Sequence, residues 1–403
     1  MHRTTITAIA AVLLLQSGAS AQMSHRHASE AACDGPELRC ATKVTPVFDA
    51  TGRLWLAWMA GGRISVASSI DLGKTTSAPV QVSNEELALD WGPDARPAIV
   101  VDKARRVFVA FSTFKDKAFN GKVVYTQSTD EGKTFEPPLP ITSNTESQRF
   151  VATALDADGS LFAVWLDKRN RVPAKAANKP YDGAALFFTW FKDGVATNAE
   201  ASVAKDNTCE CCRLGVAFAG AGRPAVVFRN IFDGGVRDHA VLTFDNPTSP
   251  SHLSRVSNDN WVINACPHHG PSLTISPAGT YHVTWFTSGS VRKGLFYARS
   301  VDNGQTYTTP LAIGTHDGGA SRPYVLALQQ KAAVVWKEFD GNSSVVRLMT
   351  STDDGASWSD SRIIARTDDA SDHPLLVSDG SRIFLSWMTK WDGYHLQLLG
   401  DAE

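Results

Sequence analysis

Two short segments concentrate the soft metal ligands of this chain. Cys209-Glu210-Cys211-Cys212-Arg213 and Cys266-Pro267-His268-His269 together supply four thiols and two imidazoles. Thiolate with imidazole suits Cu(I) or Zn, because both ions favour sulfur and ring nitrogen over oxygen. Cys209, Cys211, Cys212, Cys266, His268 and His269 are therefore the candidate metal ligands. Oxidation is the competing chemistry in an exported protein. Cys266 would then pair with Cys209, Cys211 or Cys212, leaving mainly His268 and His269 to ligate. A vicinal Cys211–Cys212 bridge is a further, strained arrangement.

A second set is cationic. Arg96-Pro97, Arg149-Phe150, Cys212-Arg213, Arg322-Pro323 and His373-Pro374 each open a β-rich run, as does Cys266-Pro267-His268-His269-Gly270. Guanidinium groups gathered at one place bind carboxylate, phosphate or sulfate bidentately. Arg96, Arg213 and His373 are candidate ligand-binding residues on that ground. The alternative is internal pairing, since Asp90, Asp94, Glu146, Asp317, Asp369 and Asp372 lie in the same stretches.

A repeat is what would gather these residues. Ser128-Thr129-Asp130-Glu131-Gly132-Lys133-Thr134-Phe135 suits a tight hairpin, with Gly132 free to take positive φ and Asp130 accepting from turn amides. The octets at 300–307 and 351–358 match throughout, and the one at 69–76 lacks only its final aromatic. Apolar runs keep the same beat, with their last aromatics at 58, 111, 165, 228, 285, 336 and 387. Seven such runs predict an all-β chain: a β-propeller of seven four-stranded antiparallel blades. Degenerate turns at Asp193-Gly194 and Asp245-Asn246 fill the two gaps between octets. The last module ends at residue 403 before a fourth strand, so the segment around residues 35–45 is expected to supply one and close the ring. Equivalent loops of neighbouring blades lie side by side, so the two Cys-bearing segments should meet on the central face, away from the octets.

The octets resemble those of the Asp-box (bacterial neuraminidase repeat) proteins, the superfamily of the sialidases, over residues 44–399. For that family six blades are usual, which makes six the alternative count. The resemblance implies a glycan-directed protein, in its catalytic form an exo-sialidase-like glycoside hydrolase. Sialidases use three arginines for the substrate carboxylate, a Tyr-Glu nucleophile pair and an Asp acid/base. Module three looks like their first catalytic blade, which makes Arg149 a carboxylate clamp and Asp182 the acid/base. The remaining arginines would come from Arg213, Arg229 or Arg322. No stretch matches the nucleophilic tyrosine; Tyr324 and Tyr394 qualify by location only.

The remaining features bound the setting. His2 and Arg3, the apolar Ile6 to Leu15 and Ala19-Ser20-Ala21 read as a signal peptide over 1–21. The apolar run is too short to span a bilayer, which predicts a periplasmic or secreted protein. Residues 22–43 form a polar N-terminal segment in which Cys33 and Cys40 are expected to be disulfide-linked, and 44–403 are the propeller. A net charge of -2 offers no hold for nucleic acid or an anionic membrane surface, which leaves an anionic glycan or other acidic ligand as the expected partner.

Overall fold

The computed structural model describes residues 33, 35–315 and 318–400. The leader expected at 1–21 lies outside them. Seven antiparallel sheets follow one another along the chain, at 43–81, 98–140, 148–208, 215–255, 272–313, 321–367 and 375–398. We number them blades 1 to 7. The first strand of each blade packs beside that of the next, and blade 7 returns to blade 1. The chain is thus a closed seven-bladed β-propeller, as the spacing of the aromatic runs predicts.

The second strands explain why those runs are apolar without interruption. Leu54–Ala60 is buried at every position. Its side chains alternate between two sides of the sheet. Trp55, Ala57 and Met59 pack with Val107, Val109 and Phe111 of blade 2, whereas Leu54, Leu56 and Trp58 pack with Met388 of blade 7. Each blade is sandwiched between two others, so neither face can be polar. A buried Trp deleted to Ala in such a core costs about 3–5 kcal/mol.

The four octets fold alike at the turns between third and fourth strands. Ser128 Oγ donates to Asp130 Oδ1 at 2.7 Å and accepts from the Gly132 N–H at 2.8 Å. Thr134 donates its N–H to Asp130 Oδ1 at 2.9 Å and its hydroxyl to Oδ2 at 2.6 Å. Glu131 and Gly132 both take positive φ, and a Cβ on Gly132 would come within 2.6 Å of the Trp55 ring of the previous blade. Thus glycine is required there for the turn and for the close approach.

Two blades depart from the four-stranded expectation. In blade 3 both Val195–Ala196 and Ser202–Thr208 pair with Ala184–Lys192. Blade 7 has three strands, and among the described residues no strand pairs with the outer edge of its last one, Gly393–Leu398. The expected N-terminal closing strand is therefore corrected. Leu38–Cys40 is a 3-10 turn, and Lys43–Phe48 is the first strand of blade 1, paired to Leu54–Ala60. The reason is local. Pro36 has no N–H to donate, and its carbonyl accepts from Trp58 Nε1 at 2.8 Å. Cys33 and Cys40 are disulfide-bonded, as expected. A fully extended seven-residue segment would place their Cα atoms about 23 Å apart, whereas a disulfide holds them about 5.5 Å apart. Side-chain packing closes the ring instead, with Tyr394 and Leu396 of blade 7 set against Leu54, Leu56 and Trp58.

Candidate functional site

Loops leading into first strands converge on the central face, where they meet residues from far along the chain. Asp94, ahead of blade 2, is the hub. Its Oδ1 accepts from Arg322 Nη1 at 2.9 Å, and its Oδ2 accepts the backbone N–H groups of Gly270 at 2.9 Å and Arg213 at 3.3 Å. One buried carboxylate thus ties together the loops of blades 2, 4, 5 and 6. Gly270 permits this, because a Cβ there would come within 2.1 Å of Arg213 Cγ. Arg322 also donates to the His268 carbonyl.

Each remaining cation has its own partners. Arg149 clasps Asp90 through Nε at 2.6 Å and Nη2 at 2.8 Å. Arg96 Nη2 reaches Asp372 Oδ1 at 2.8 Å, and Asp372 Oδ2 accepts the Val44 N–H at 3.0 Å. Among the described residues Arg213 contacts no carboxylate through its guanidinium; Nε donates to the Pro271 carbonyl at 3.2 Å and Nη2 to that of Pro323 at 2.8 Å. Lys43 Nζ donates to the Ala95 carbonyl at 2.7 Å and Lys337 Nζ to that of Ser371 at 3.1 Å. Of the acids foreseen as pairing partners, Asp90, Asp94 and Asp372 serve that role. Asp369 faces Lys390 at 3.9 Å, Glu146 is exposed, and Asp317 is outside the described residues.

Backbone irregularities aim two of the arginines. The first strand of blade 3 carries one extra residue opposite Val164–Leu166, and that of blade 6 has an extra one between Ser321 and Tyr324. Phe150 and Arg322 take positive φ at these bulges, with values of 58° for each. Non-glycine residues hold that conformation only when their surroundings impose it.

A cavity of about 240 Å³ opens between these loops, lined among others by Asp94, Arg96, Phe150, Arg213 and Tyr324. A larger one, about 480 Å³, lies on the opposite rim between blades 6 and 7. Its walls include Leu328, Trp358, Ile383 and Leu398, and it gathers no acid–base set, so the central cavity is the candidate site. The imidazoles around that centre are held neutral. Burial, then Arg322 and Arg213, lowers His269 to about 3. Burial with Arg322 and Arg96 depresses His373 in the same sense. Burial, then Arg96, lowers Lys43 to about 8.

The thiols form a separate cluster. Cys209 Sγ lies 3.4 Å from Cys211 Sγ, which lies 4.0 Å from Cys212 Sγ, and all three are buried. Cys266 is exposed and lines a small pocket of about 70 Å³ with Glu210, Cys211 and His268. Its thiol is lowered to about 7, first by a hydrogen bond with Cys211. Of the six candidate metal ligands, only Cys209, Cys211 and Cys212 bring their ligand atoms within 4.8 Å of one another. His269 stacks on Phe286 at 4.1 Å, and His268 faces Phe150 at 6.1 Å. None of the four thiols is in a disulfide.

Asp182 sits exposed at the start of the third strand of blade 3; its carbonyl accepts from Arg237 Nη2 at 3.5 Å, on the thiol side of the face. Tyr324 borders the central cavity, whereas Tyr394 is half-buried at the ring closure with its hydroxyl accepting from Ser386 Oγ. Lys43, Lys337, Arg237 and His239 escaped the sequence reading. Arg237 follows Gly234-Gly235 in a loop with no repeat counterpart, and Lys43 stands one residue ahead of the expected propeller boundary.

No protein-family model matches the sequence, and no curated protein does. Solved structures match it in fold. A protein of unknown function from Dyadobacter fermentans DSM 18053 superposes with a TM-score of 0.50 at 17% identity, over 77% of this chain and 95% of that one. An ulvan lyase from a new family of polysaccharide lyases gives 0.58 at 11% identity, over 90% and 92%. An ulvan lyase bound to -[GlcA(1-4)Rha3S]- gives 0.56 at 10%, over 89% and 94%. Among the described residues no helix is long and apolar enough to cross a membrane.

Proposed function

We propose that this protein is exported and binds an acidic ligand, an anionic glycan, on the central face of its propeller. One observation carries the reading. Lys43, Arg96, Arg149, Arg213, Arg322 and Lys337 surround the channel, whereas the carboxylates among them are Asp90, Asp94 and Asp372. Among the described residues half of the positive charge is uncompensated, in a chain whose net charge is -2. Such a local field draws an anion in and is strengthened by the low-dielectric walls. At about 240 Å³ the cavity is smaller than the roughly 300–1,000 Å³ that encloses a drug-sized molecule, which suits one acidic sugar unit of a longer chain. The octets support reading the chain as an Asp-box propeller, and a neighbour on the same fold holds an acidic oligosaccharide.

Arg213 is the residue best placed to receive the ligand, because its guanidinium touches carbonyls alone. Arg96, Arg149 and Arg322 set the field and hold the loops, and His373 adds a neutral hydrogen-bonding ring. A hydrolytic version keeps Arg149 and Arg322 as carboxylate clamps and Asp182 as acid/base.

Calorimetric titration with uronate-, sulfate- and sialate-bearing oligosaccharides, beside neutral counterparts, tests the reading. Acidic ligands should bind, neutral ones should not, and affinity should fall as salt rises. Arg213→Gln should weaken binding by roughly 2–5 kcal/mol without changing the melting temperature appreciably. Equal or absent binding of acidic and neutral members overturns it. If the protein also cleaves its ligand, Asp182→Asn should abolish turnover and retain binding.

A further inference from the structure

Arg229 is unexplained by an acidic ligand in the channel. It is 1% exposed, yet among the described residues neither Nη atom has a hydrogen-bond partner. Its Nε donates to the Arg237 carbonyl at 2.7 Å, and its guanidinium lies 4.0 Å from the Trp261 ring centroid. A buried cation without a counter-charge is costly, so something anionic belongs beside it. The thiol cluster is near: Arg237 Nη1 approaches Cys209 Sγ at 3.6 Å, and the Cys209 N–H donates to the Arg229 backbone carbonyl at 3.0 Å, which sets the two residues on adjoining segments.

We propose that Cys209, Cys211 and Cys212 form a three-thiolate site for Cu(I), with Arg229 and Arg237 as its counter-charges. This inference is independent of the acidic-ligand reading. Three thiolates around one monovalent cation leave two negative charges, matching two guanidinium groups. The spacing also fits. A metal–sulfur bond of about 2.3 Å puts the sulfurs of a trigonal site about 4.0 Å apart. The contact of 4.0 Å equals that value, the one of 3.4 Å is shorter, and the third pair is within 4.8 Å. Soft thiolates select Cu(I) or Zn. Structural zinc is almost always four-coordinate, and here the fourth thiol, Cys266, is exposed and reaches Cys211 without joining the mutually close trio. The pocket lined by Cys211, Cys266 and His268 is the way in. On loading, the protons of the three thiols leave to solvent as the ion takes their place.

The test is anaerobic titration of the full-length reduced protein with Cu(I) against a chromogenic Cu(I) chelator. We expect one Cu(I) per chain. X-ray absorption of the loaded wild-type protein should show sulfur neighbours alone, three of them at about 2.3 Å. Cys209→Ser, Cys211→Ser and Cys212→Ser should each lower affinity roughly 100-fold or more, and Arg229→Met about 10- to 100-fold. Cys266→Ser should leave it unchanged. A variant that fails to fold is read through the wild-type spectrum, which needs no substitution. Failure of the protein to retain Cu(I) with all four thiols counted as reduced overturns the proposal. So does a spectrum with nitrogen ligands, or a site that holds Zn in preference and needs Cys266.

Discussion

The octet turns and the central face both rest on aspartates that accept several hydrogen bonds, but they are built differently. In the octets, every bond to Asp130 comes from within four residues, and the turn repeats at Asp71, Asp302 and Asp353. In the centre, Asp94 accepts from partners 119, 176 and 228 residues away. An octet can lose its aspartate and keep its hairpin, because the strands on either side are held by the ladder. The centre cannot lose Asp94 so easily. Four loops depend on one carboxylate, and the cations around it are there whether or not it is.

The sharpest break in that comparison is Asp94→Ala. It leaves the largely buried Arg322 without its carboxylate and two backbone N–H groups without an acceptor, so unfolding in urea should show a loss of about 3–5 kcal/mol. A loss near 1 kcal/mol would mean that the central loops are as autonomous as the octets.

Acid should separate the two regions next. Burial, then the Arg229 charge, lowers His239 to about 3, so the folded protein keeps it neutral. Between that value and the ordinary 6.5, the unfolded chain takes up a proton that the folded chain refuses. Stability from this group is complete above pH 6.5 and falls as the pH drops toward 3. From pH 8 to pH 5 the loss should be about 2 kcal/mol, and His239→Gln should flatten that slope. The octet aspartates act only at lower pH. The Thr75 hydroxyl, foremost among several donors, lowers Asp71 to about 2. Its contribution is present above about pH 4 and is lost as the pH falls through 2. A melting temperature flat down to pH 4.5 would deny the central histidines their role.

The smallest effect is expected from Asp130→Ala, a slight drop in melting temperature from the lost turn cap, with ligand and metal binding unchanged. Lost affinity at an unchanged melting temperature would make the octet rim functional and erase the contrast.

How much of this was legible in advance follows the same division. The octets, the seven apolar runs and the two degenerate turns are local patterns, and the blade count could be read from their spacing. The expected closing strand is replaced by a turn over Leu38–Cys40 and a strand from Lys43 that pairs inside blade 1. A disulfide across Cys33 and Cys40 and an extended strand through the same residues cannot coexist, and the spacing alone says so. The meeting of Cys209, Cys211 and Cys212 follows from their adjacency in sequence. The absence of His268 and His269 from that mutually close group does not, since His269 stacks on Phe286 while His268 lines the pocket beside Cys211 and Cys266.

The sequence by itself determined the repeat, the turns and the types of side chain carried to the central face, since each depends on neighbours within a few residues. Tertiary structure alone decided which cation meets which acid. Arg149 could have paired with any of six aspartates and glutamates; ring closure put Asp90 under it, Asp372 under Arg96 and Asp94 under Arg322. It also left Arg213 facing carbonyls and Arg229 buried, with its own carbonyl bonded to the Cys209 N–H. Those outcomes depend on the order of seven blades around an axis, which brings together residues that no short-range pattern relates.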